Sequence, residues 1–253
     1  MDLWRQWLRD APALPPNRQE TVVEKSPNWL LASLPAAAFA TVTSHLKVVE
    51  LKFGDVLAET GSLIRRVYFP YSGVISLVVE LDVGTMIETA MVGRDGAFNA
   101  ASALDGKVSL NKGIVQLAGS AGVIEVGQLR QLTDELKSFR SLLIGHEQVL
   151  FAQAQQSAAC NASHTVEARM CRWLLHMRDL AGGDELILTQ EFLAQMLGVR
   201  RPSVSLVATT LQKAGLIKYS RGNIRLLDIK GLKKGSCECY GTVKAHYQRL
   251  FSH

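Results

Sequence analysis

The sequence predicts an α+β chain: an N-terminal antiparallel β-roll or jelly roll, then a long dimerisation helix, then a C-terminal winged helix-turn-helix. Three observations predict it. Between Val48 and Val126, short apolar runs alternate with glycines at 54, 61, 73, 84, 93, 96, 106, 113, 119 and 122, a strand-and-turn spacing. From Gln128 to Leu180 the periodicity becomes helical. Leu188–Tyr219 then reads as two short amphipathic helices around a glycine turn, and a basic-tipped hairpin follows.

Taken in order, residues 1–26 read as an N-terminal extension, with a short helix at Leu3–Leu8 and a proline-rich spacer. Leu3, Trp4, Trp7 and Leu8 give that helix one apolar edge, suited to packing on its own domain or on a partner subunit. Residues 27–130 form the β-roll domain, entered through a helix from Trp29 to Leu46 interrupted near Pro35. Its runs VVELKF, VLAET, RVYFP, VISLVVEL, MIETAMV, GIVQLA and GVIEV predict seven or eight short strands. Residues 131–160 form the dimerisation helix. Phe139, Leu142, Leu143, His146, Val149 and Leu150 follow a 3–4 repeat through Ala154 and Ala158, a seam that suits a second copy of the chain or the β domain. Residues 161–235 form the winged helix-turn-helix, and 236–253 a C-terminal tail.

In the helix-turn-helix, Thr189 is a natural N-cap, because its hydroxyl can accept an orphan N–H of the first turn. Leu193, Ala194, Met196 and Leu197 make the apolar face of the first helix, and Gly198 supplies a left-handed end. Pro202 fits the first turn of the second helix, where its missing N–H has no partner to lose. Val204, Val207, Ala208 and Leu211 are the buried face of that helix. Ala214–Tyr219 and Ile224–Leu227 form a two-stranded wing about the turn Ser220-Arg221-Gly222-Asn223. A cationic second helix beside a basic wing suits the major groove and phosphates of DNA. The candidate DNA contacts are Thr189, Gln190, Arg200, Arg201, Ser203, Ser205, Leu206, Thr209, Lys213, Arg221 and Asn223. Arginine can hold guanine bidentately, serine and threonine reach base edges or phosphates, and Leu206 suits a thymine methyl.

The charge distribution agrees with that assignment. The chain of 253 residues carries a net +5, but residues 160–253 hold 14 Lys and Arg against 7 Asp and Glu, while residues 1–159 hold 14 against 16. The cationic excess therefore lies in the half that would meet a polyanion. No run of 18 apolar residues is present, and the first residues lack the apolar stretch of a signal peptide. Cys160, Cys171, Cys237 and Cys239 form no disulfide-like framework, which suits a reducing cytoplasm. Cys237-Glu238-Cys239 has metal-like spacing, with Cys160, Cys171, His246 or His253 as further ligands. The expectation is a structural or incidental pair, with no metal and no cofactor, and a redox switch or metal clip is the alternative. A haem ligand at His45 or His146 is disfavoured, and His164 reads as a lone helical histidine. No nucleophile–base pair or phosphate loop appears, so an enzyme is not expected; a cupin-type metal site fails because residues 48–126 contain no histidine.

A β-roll, a long helix and a basic winged helix-turn-helix together resemble the Crp/Fnr family of bacterial transcription regulators, over about residues 28–232. The marks are VYFPYSGVISLV and GTMIETAMVGRDGAF in the β domain, and LTQEFLAQMLGVRRPSVSLVATTLQKAGLIKYSRGNIRL in the DNA domain. The resemblance implies a cytoplasmic homodimer on a two-fold-related DNA site, with RNA polymerase as a further partner. It also implies a base-contacting role for Arg201. Two departures matter. The family's cyclic-nucleotide cassette places a Gly-Glu pair and an Arg-Ser/Thr-Ala triplet in this stretch. Here Asn99, Ala100 and Ala101 stand where the glutamate is expected, Asn111-Lys112-Gly113 near the triplet, and no arginine occurs between Arg94 and Arg130. A lysine is a poorer match than arginine for a buried phosphate, so tight cyclic AMP binding is not expected. The second departure is Pro202 and Leu206, where members reading a well-known palindrome carry glutamate and arginine. The alternative is a small-molecule or redox sensor whose β-roll binds an unidentified effector and gates DNA binding.

Overall fold

The structure is a computed structural model and describes residues 26–82, 84–100, 107–220 and 222–251. The predicted helix at Leu3–Leu8, and the extension around it up to residue 25, lie outside the described residues. The chain enters through α1 (Trp29–Ala32) and α2 (Ala36–Ser44), separated at Pro35. Buried Asn28 caps α1, its Oδ1 accepting from Leu31 N at 3.0 Å, while its Nδ2 donates to Pro70 O and Gly96 O, both at 2.9 Å. One capping residue thus ties the entry helix to two points on the roll.

The roll is an antiparallel sheet of β1 (Lys47–Leu51), β2 (Val56–Ala58), β3 (Arg66–Glu80), β4 (Met86–Val92) and β5 (Lys112–Glu125), in the order β1-β5-β3-β4, with β2 also on β5. Among the described residues these five strands stand where the sequence suggested seven or eight. The runs read as separate strands on either side of Gly73 and Gly119 are continuous through them. The β3–β5 register slips three times between Pro70 and Ile75. There the backbones close in until a Cβ on Gly73 would lie 2.5 Å from Leu117 O, and one on Gly119 would overlap the Ser72 carbonyl. These glycines are bulge positions that bend a long strand, not turns that end a short one. The roll interior is closed by Leu51, Ile75, Leu77, Val92, Phe98, Val115 and Val123, with Leu150 from the long helix.

Helix α3 (Val126–Glu135) precedes the long helix α4 (Lys137–Ser163). The long helix therefore begins at Lys137 rather than at 131, because Leu136 adopts a non-helical φ of −109° and ψ of 88°. Its buried positions are Phe139, Leu143, His146, Leu150, Gln153, Ser157 and Cys160, alternating by four and three. Most of the seam read from the sequence is thus consumed within the chain. A second stripe of the same spacing (Ser141, Ile144, Gln148, Phe151, Gln155, Ala158, Ala162) is exposed and carries no charge. On it Ile144 is 43% and Phe151 66% exposed.

The C-terminal domain comprises α5 (Val166–Ala181), β6 (Glu185–Ile187), α6 (Gln190–Leu197), α7 (Arg201–Lys213), β7 (Ile217–Ser220), β8 (Asn223–Leu226) and α8 (Ile229–Gly235). Its sheet has three strands, in the order β6-β8-β7, where the sequence suggested a two-stranded hairpin. The expected C-terminal tail is instead a helix, α9 (Cys239–Leu250). It lies antiparallel to α4: Cys239 Sγ accepts from Gln156 Nε2 at 3.0 Å, Tyr247 OH meets Gln153 Oε1 at 3.3 Å, and Leu250 reaches Gly145. The 4-residue spacing of Cys239, Val243 and Tyr247 gives α9 its buried face.

A single apolar core joins the two domains. Val74, Val78, Met91 and Ile114 of the roll pack with Trp173, Leu174, Met177 and Leu180 of α5 and with the helix-turn-helix. At its centre buried Glu88 accepts from Trp173 Nε1 at 2.7 Å and from Ser76 Oγ at 2.5 Å. Burial raises its carboxyl to about 7, against the two hydrogen bonds and nearby Arg172, which favour the anion.

This packing makes two positions testable. Gly119→Ala should cost about 1–3 kcal/mol in urea unfolding, because the Ser72 backbone must move. Gly127→Ala, which meets nothing within 4 Å, should be neutral or stabilising by up to about 1 kcal/mol. For Glu88, a folded-state pKa above 4.5 means that the folded chain holds the proton longer. Stability should therefore fall as pH rises from about 4.5 to about 7, by at most about 1.4 kcal/mol per pH unit. Glu88→Gln should flatten that part of the profile; a wild-type and variant difference constant with pH would refute the assignment.

Candidate nucleic-acid interface

The site is built from α6, α7 and the wing. Thr189 caps α6, its Oγ1 accepting from Phe192 N at 3.2 Å. Gly198 ends the helix at φ +61°, and Arg200 is the N-cap of α7, with Pro202 in its first turn. Leu193, Ala194, Met196 and Leu197 are buried against Val204, Val207, Ala208 and Leu211, so both apolar stripes face inward. What remains outside is the N-cap Arg200 and, on α7, Arg201, Pro202, Leu206, Thr209, Thr210, Gln212 and Lys213. Leu206 is 70% exposed in the middle of this face. Neither Arg200 nor Arg201 forms a salt bridge among the described residues.

The polar candidates divide into two groups. Ser203 is half-buried in the first turn of α7. Ser205 Oγ donates to Gln190 Oε1 at 2.5 Å, locking α7 onto α6. Thr209 Oγ1 donates to Ser205 O at 2.8 Å, and Thr210 Oγ1 to Leu206 O at 3.1 Å. Gln190, Ser205 and Thr209 thus commit their polar groups inside the motif, whereas Arg200, Arg201 and Lys213 present cationic heads at the surface. The wing is held to α7 by Gln212 Oε1, which accepts from Tyr219 N at 2.8 Å, and Tyr219 OH donates to Leu188 O at 3.1 Å. Asn223 is exposed at the wing, as are Lys218 and Arg225 on its strands; Arg221 lies outside the described residues. Lys218 and Arg225, which are not among the sequence candidates, alternate with buried Ile217, Ile224 and Leu226 and so face outward, Arg225 Nε lying 3.5 Å from Glu185 Oε1.

This motif is docked on the roll. Phe192 of α6 packs against Phe53 with ring centroids 6.0 Å apart, and Gly198 meets Ile87 of β4. A groove between Gly84, Thr85, Glu191, Gln195, Arg200 and Arg201 places the start of α7 beside the β3–β4 hairpin.

Phe98 fills the space over Gly113, where a Cβ would overlap its ring. Asn99 has φ +70° and accepts from Ser109 Oγ at 2.9 Å. Lys112 Nζ lies 2.9 Å from Glu80 and 3.4 Å from Glu59, so its charge is already matched by two carboxylates. The buried His146 ring is pressed against Gly96, with Nε2 within 3.0 Å of the Ala97 backbone, and burial lowers its pKa to about 4. His45 is exposed, its Nδ1 2.9 Å from Thr41 O. Potential metal ligands gather elsewhere: Cys160, His164, Cys237 and Cys239 converge. Of the partners considered for Cys237 and Cys239, Cys160 is present. Cys171 lies apart beside Gly235, His246 is not in the group, and His253 is outside the described residues. The fourth member of the group is His164, read from the sequence as a lone helical histidine; its spacing from Cys160 at a helix end was the available signal.

The chain is thus a β-roll carrying a long helix and a winged helix-turn-helix. Residues 168–234 are a Crp-like helix-turn-helix domain, matching that family, and the described chain has the fold of the Crp/Fnr transcription regulators. FixK2 from Bradyrhizobium japonicum aligns with a TM-score of 0.66 at 15% identity, over 76% of this chain and 98% of that one. A CRP-family transcriptional regulator from Thermus thermophilus aligns with a TM-score of 0.62 at 20% identity, over 74% and 96%. The c-di-GMP responsive global regulator CLP of Xanthomonas campestris aligns with a TM-score of 0.63 at 16% identity, over 77% and 100%. No curated protein matches the chain. No helix among the described residues is long and apolar enough to cross a membrane.

The exposure of Leu206 generates a specificity prediction. Leu206→Arg should change base preference at one position of each half-site in a binding selection; unchanged preference would place Leu206 outside the groove.

Proposed function

We propose that this protein is a sequence-specific, DNA-binding transcription regulator that works as a homodimer and does not depend on tight cyclic AMP binding. The observation that carries the reading is the exposed cationic start of α7, Arg200 and Arg201, on a helix-turn-helix whose apolar faces are fully used internally. In a complex, Arg201 and Arg200 would reach base edges, Leu206 a thymine methyl, and Lys213, Arg221 and Asn223 the phosphates. Thr189, Gln190, Ser203, Ser205 and Thr209 would contribute contacts at the rim or hold the helices in place. The uncharged stripe of Ile144 and Phe151 on α4 supports pairing with a second copy, which would set two recognition helices about one turn of DNA apart. The double ion pairing of Lys112 supports the loss of cyclic-phosphate recognition. RNA polymerase is the further partner that an activator of this kind would meet, in the cytoplasm.

The test is a mobility-shift titration with a selected duplex. An Arg200→Ala/Arg201→Ala variant should lose about 1–3 kcal/mol of binding per arginine while keeping its thermal unfolding profile, and wild-type affinity should fall steeply with salt. Undiminished binding by the variant would refute the assignment. Phe151→Glu should convert the dimer to a monomer in light scattering, and a dimer that survives would move the interface elsewhere.

The docking of α6 on β4 favours a second reading, in which an effector bound by the roll releases the DNA domain. Phe53→Ala, which removes the ring from Phe192, should then raise DNA affinity without added effector. Unchanged affinity would count against gating at this contact.

A further inference from the structure

Four potential ligands from two stretches of the chain, 160–164 and 237–239, meet in one place. Cys160 lies in the last turn of α4, His164 in the link between α4 and α5, Cys237 between α8 and α9, and Cys239 at the first residue of α9. One ligand atom from each lies within 4.8 Å of all the others. Cys160 Sγ and Cys237 Sγ are 3.5 Å apart, and Cys239 Sγ and His164 Nδ1 are 3.6 Å apart. A tetrahedral ion with metal–sulfur bonds of about 2.3 Å sets its ligand atoms about 3.8 Å from one another. The observed separations fit one ion. They do not fit an iron–sulfur cluster, whose thiolates bind different irons and stand further apart. A sulfur–sulfur separation of 3.5 Å is also far longer than a disulfide bond of about 2.05 Å.

The surroundings have the form that a metal requires. With Nδ1 turned to the sulfurs, His164 directs Nε2 at Glu238 Oε2, 3.3 Å away, the carboxylate–histidine arrangement that orients a metal-bound imidazole. Gln156 Nε2 donates to Cys239 Sγ at 3.0 Å. Arg169 and Arg172 are both 6% exposed, and each has an Nε without a hydrogen-bond partner among the described residues. Arg172 lies in electrostatic reach of Cys160, and Arg169 of both Cys160 and Cys237. Two buried cations need nearby negative charge. Three thiolates and one divalent ion leave a net charge of −1 and supply it.

The geometry points to a mononuclear, tetrahedral Cys160–His164–Cys237–Cys239 site for a thiophilic divalent ion, zinc by preference. Hard cations such as magnesium and calcium take oxygen ligands and are excluded by this donor set. Each cysteine binds as thiolate and releases its proton to solvent on metal uptake; no electron is transferred. With four protein ligands the site is closed, as structural zinc sites are. Its position assigns the role. The ion staples the link between the long helix and the DNA domain to the start of α9. Arg169, beside the sulfurs, donates from Nη2 to Leu197 O at the turn of the helix-turn-helix. The site therefore holds the joint about which the DNA domain would otherwise swing.

The test is metal analysis of the full-length protein, purified under reducing conditions without chelator. About one zinc per chain is expected, and cobalt substitution should give tetrahedral ligand-field bands with thiolate-to-cobalt charge transfer. Cys237→Ser and Cys239→Ser should lose the cobalt spectrum, and Cys171→Ser should retain it. Because a cysteine variant could fail to fold, Glu238→Gln supplies a second reading. This exposed residue should leave the fold intact and weaken cobalt binding about 10–100-fold. A folded wild-type protein with no bound metal and no cobalt spectrum would overturn the proposal. So would a Cys160–Cys237 disulfide in the reduced preparation, or an iron–sulfur chromophore.

Discussion

The burial of α5 is the constraint on which the rest of the structure depends. Ten of its sixteen residues are buried, nine in an unbroken run from Arg169 to Met177 and the tenth at Leu180. A helix buried all round must have partners on every side. Here they are the roll through β3, the helix-turn-helix, α8 and α9. Trp173 fixes the rotation of this helix, because its indole N–H has to find an acceptor in an apolar core and does so at Glu88. Displacing that hydrogen bond would strand a buried donor and a buried carboxyl together, which is why the two domains share one core.

This shared core bears on function through placement. The first helix of the reading motif rests on β4, and the start of α7 lies beside the β3–β4 hairpin. The roll thus contacts the part of the chain that would read DNA, while within the roll Phe98 covers Gly113 and Lys112 is paired with Glu59 and Glu80. The joint at His164, gathered with three cysteines, lies at the opposite end of α5 from Gly182 and closes the other side of the same helix.

The helix-turn-helix was legible because its information is local. Caps at Thr189 and Gly198, the proline at 202 and two apolar stripes specify each helix from residues within a turn or two. The roll was legible in class but not in strand count, since Gly73 and Gly119 serve close backbone crossing rather than chain reversal, and only the partner strand shows which. The long helix was placed, but its seam was ambiguous between self and partner; the exposed stripe through Ile144 and Phe151 became visible only when the first seam was seen to be occupied. The interruption at Leu136 has no breaker residue to announce it. Helix α9 escaped because Cys239, Val243 and Tyr247 make a sparse stripe among polar residues. The ligand group escaped for a different reason: Cys160 and Cys237 are 77 residues apart, and folding alone brings them together.

The central claim is that this chain reads a specific, two-fold-related DNA sequence. Selection of bound duplexes from a random pool, with purified protein and no added effector, tests it most directly. An enriched palindrome with half-sites about one helical turn apart is the expected result. Enrichment of no motif, with binding equally good to all duplexes, would contradict it.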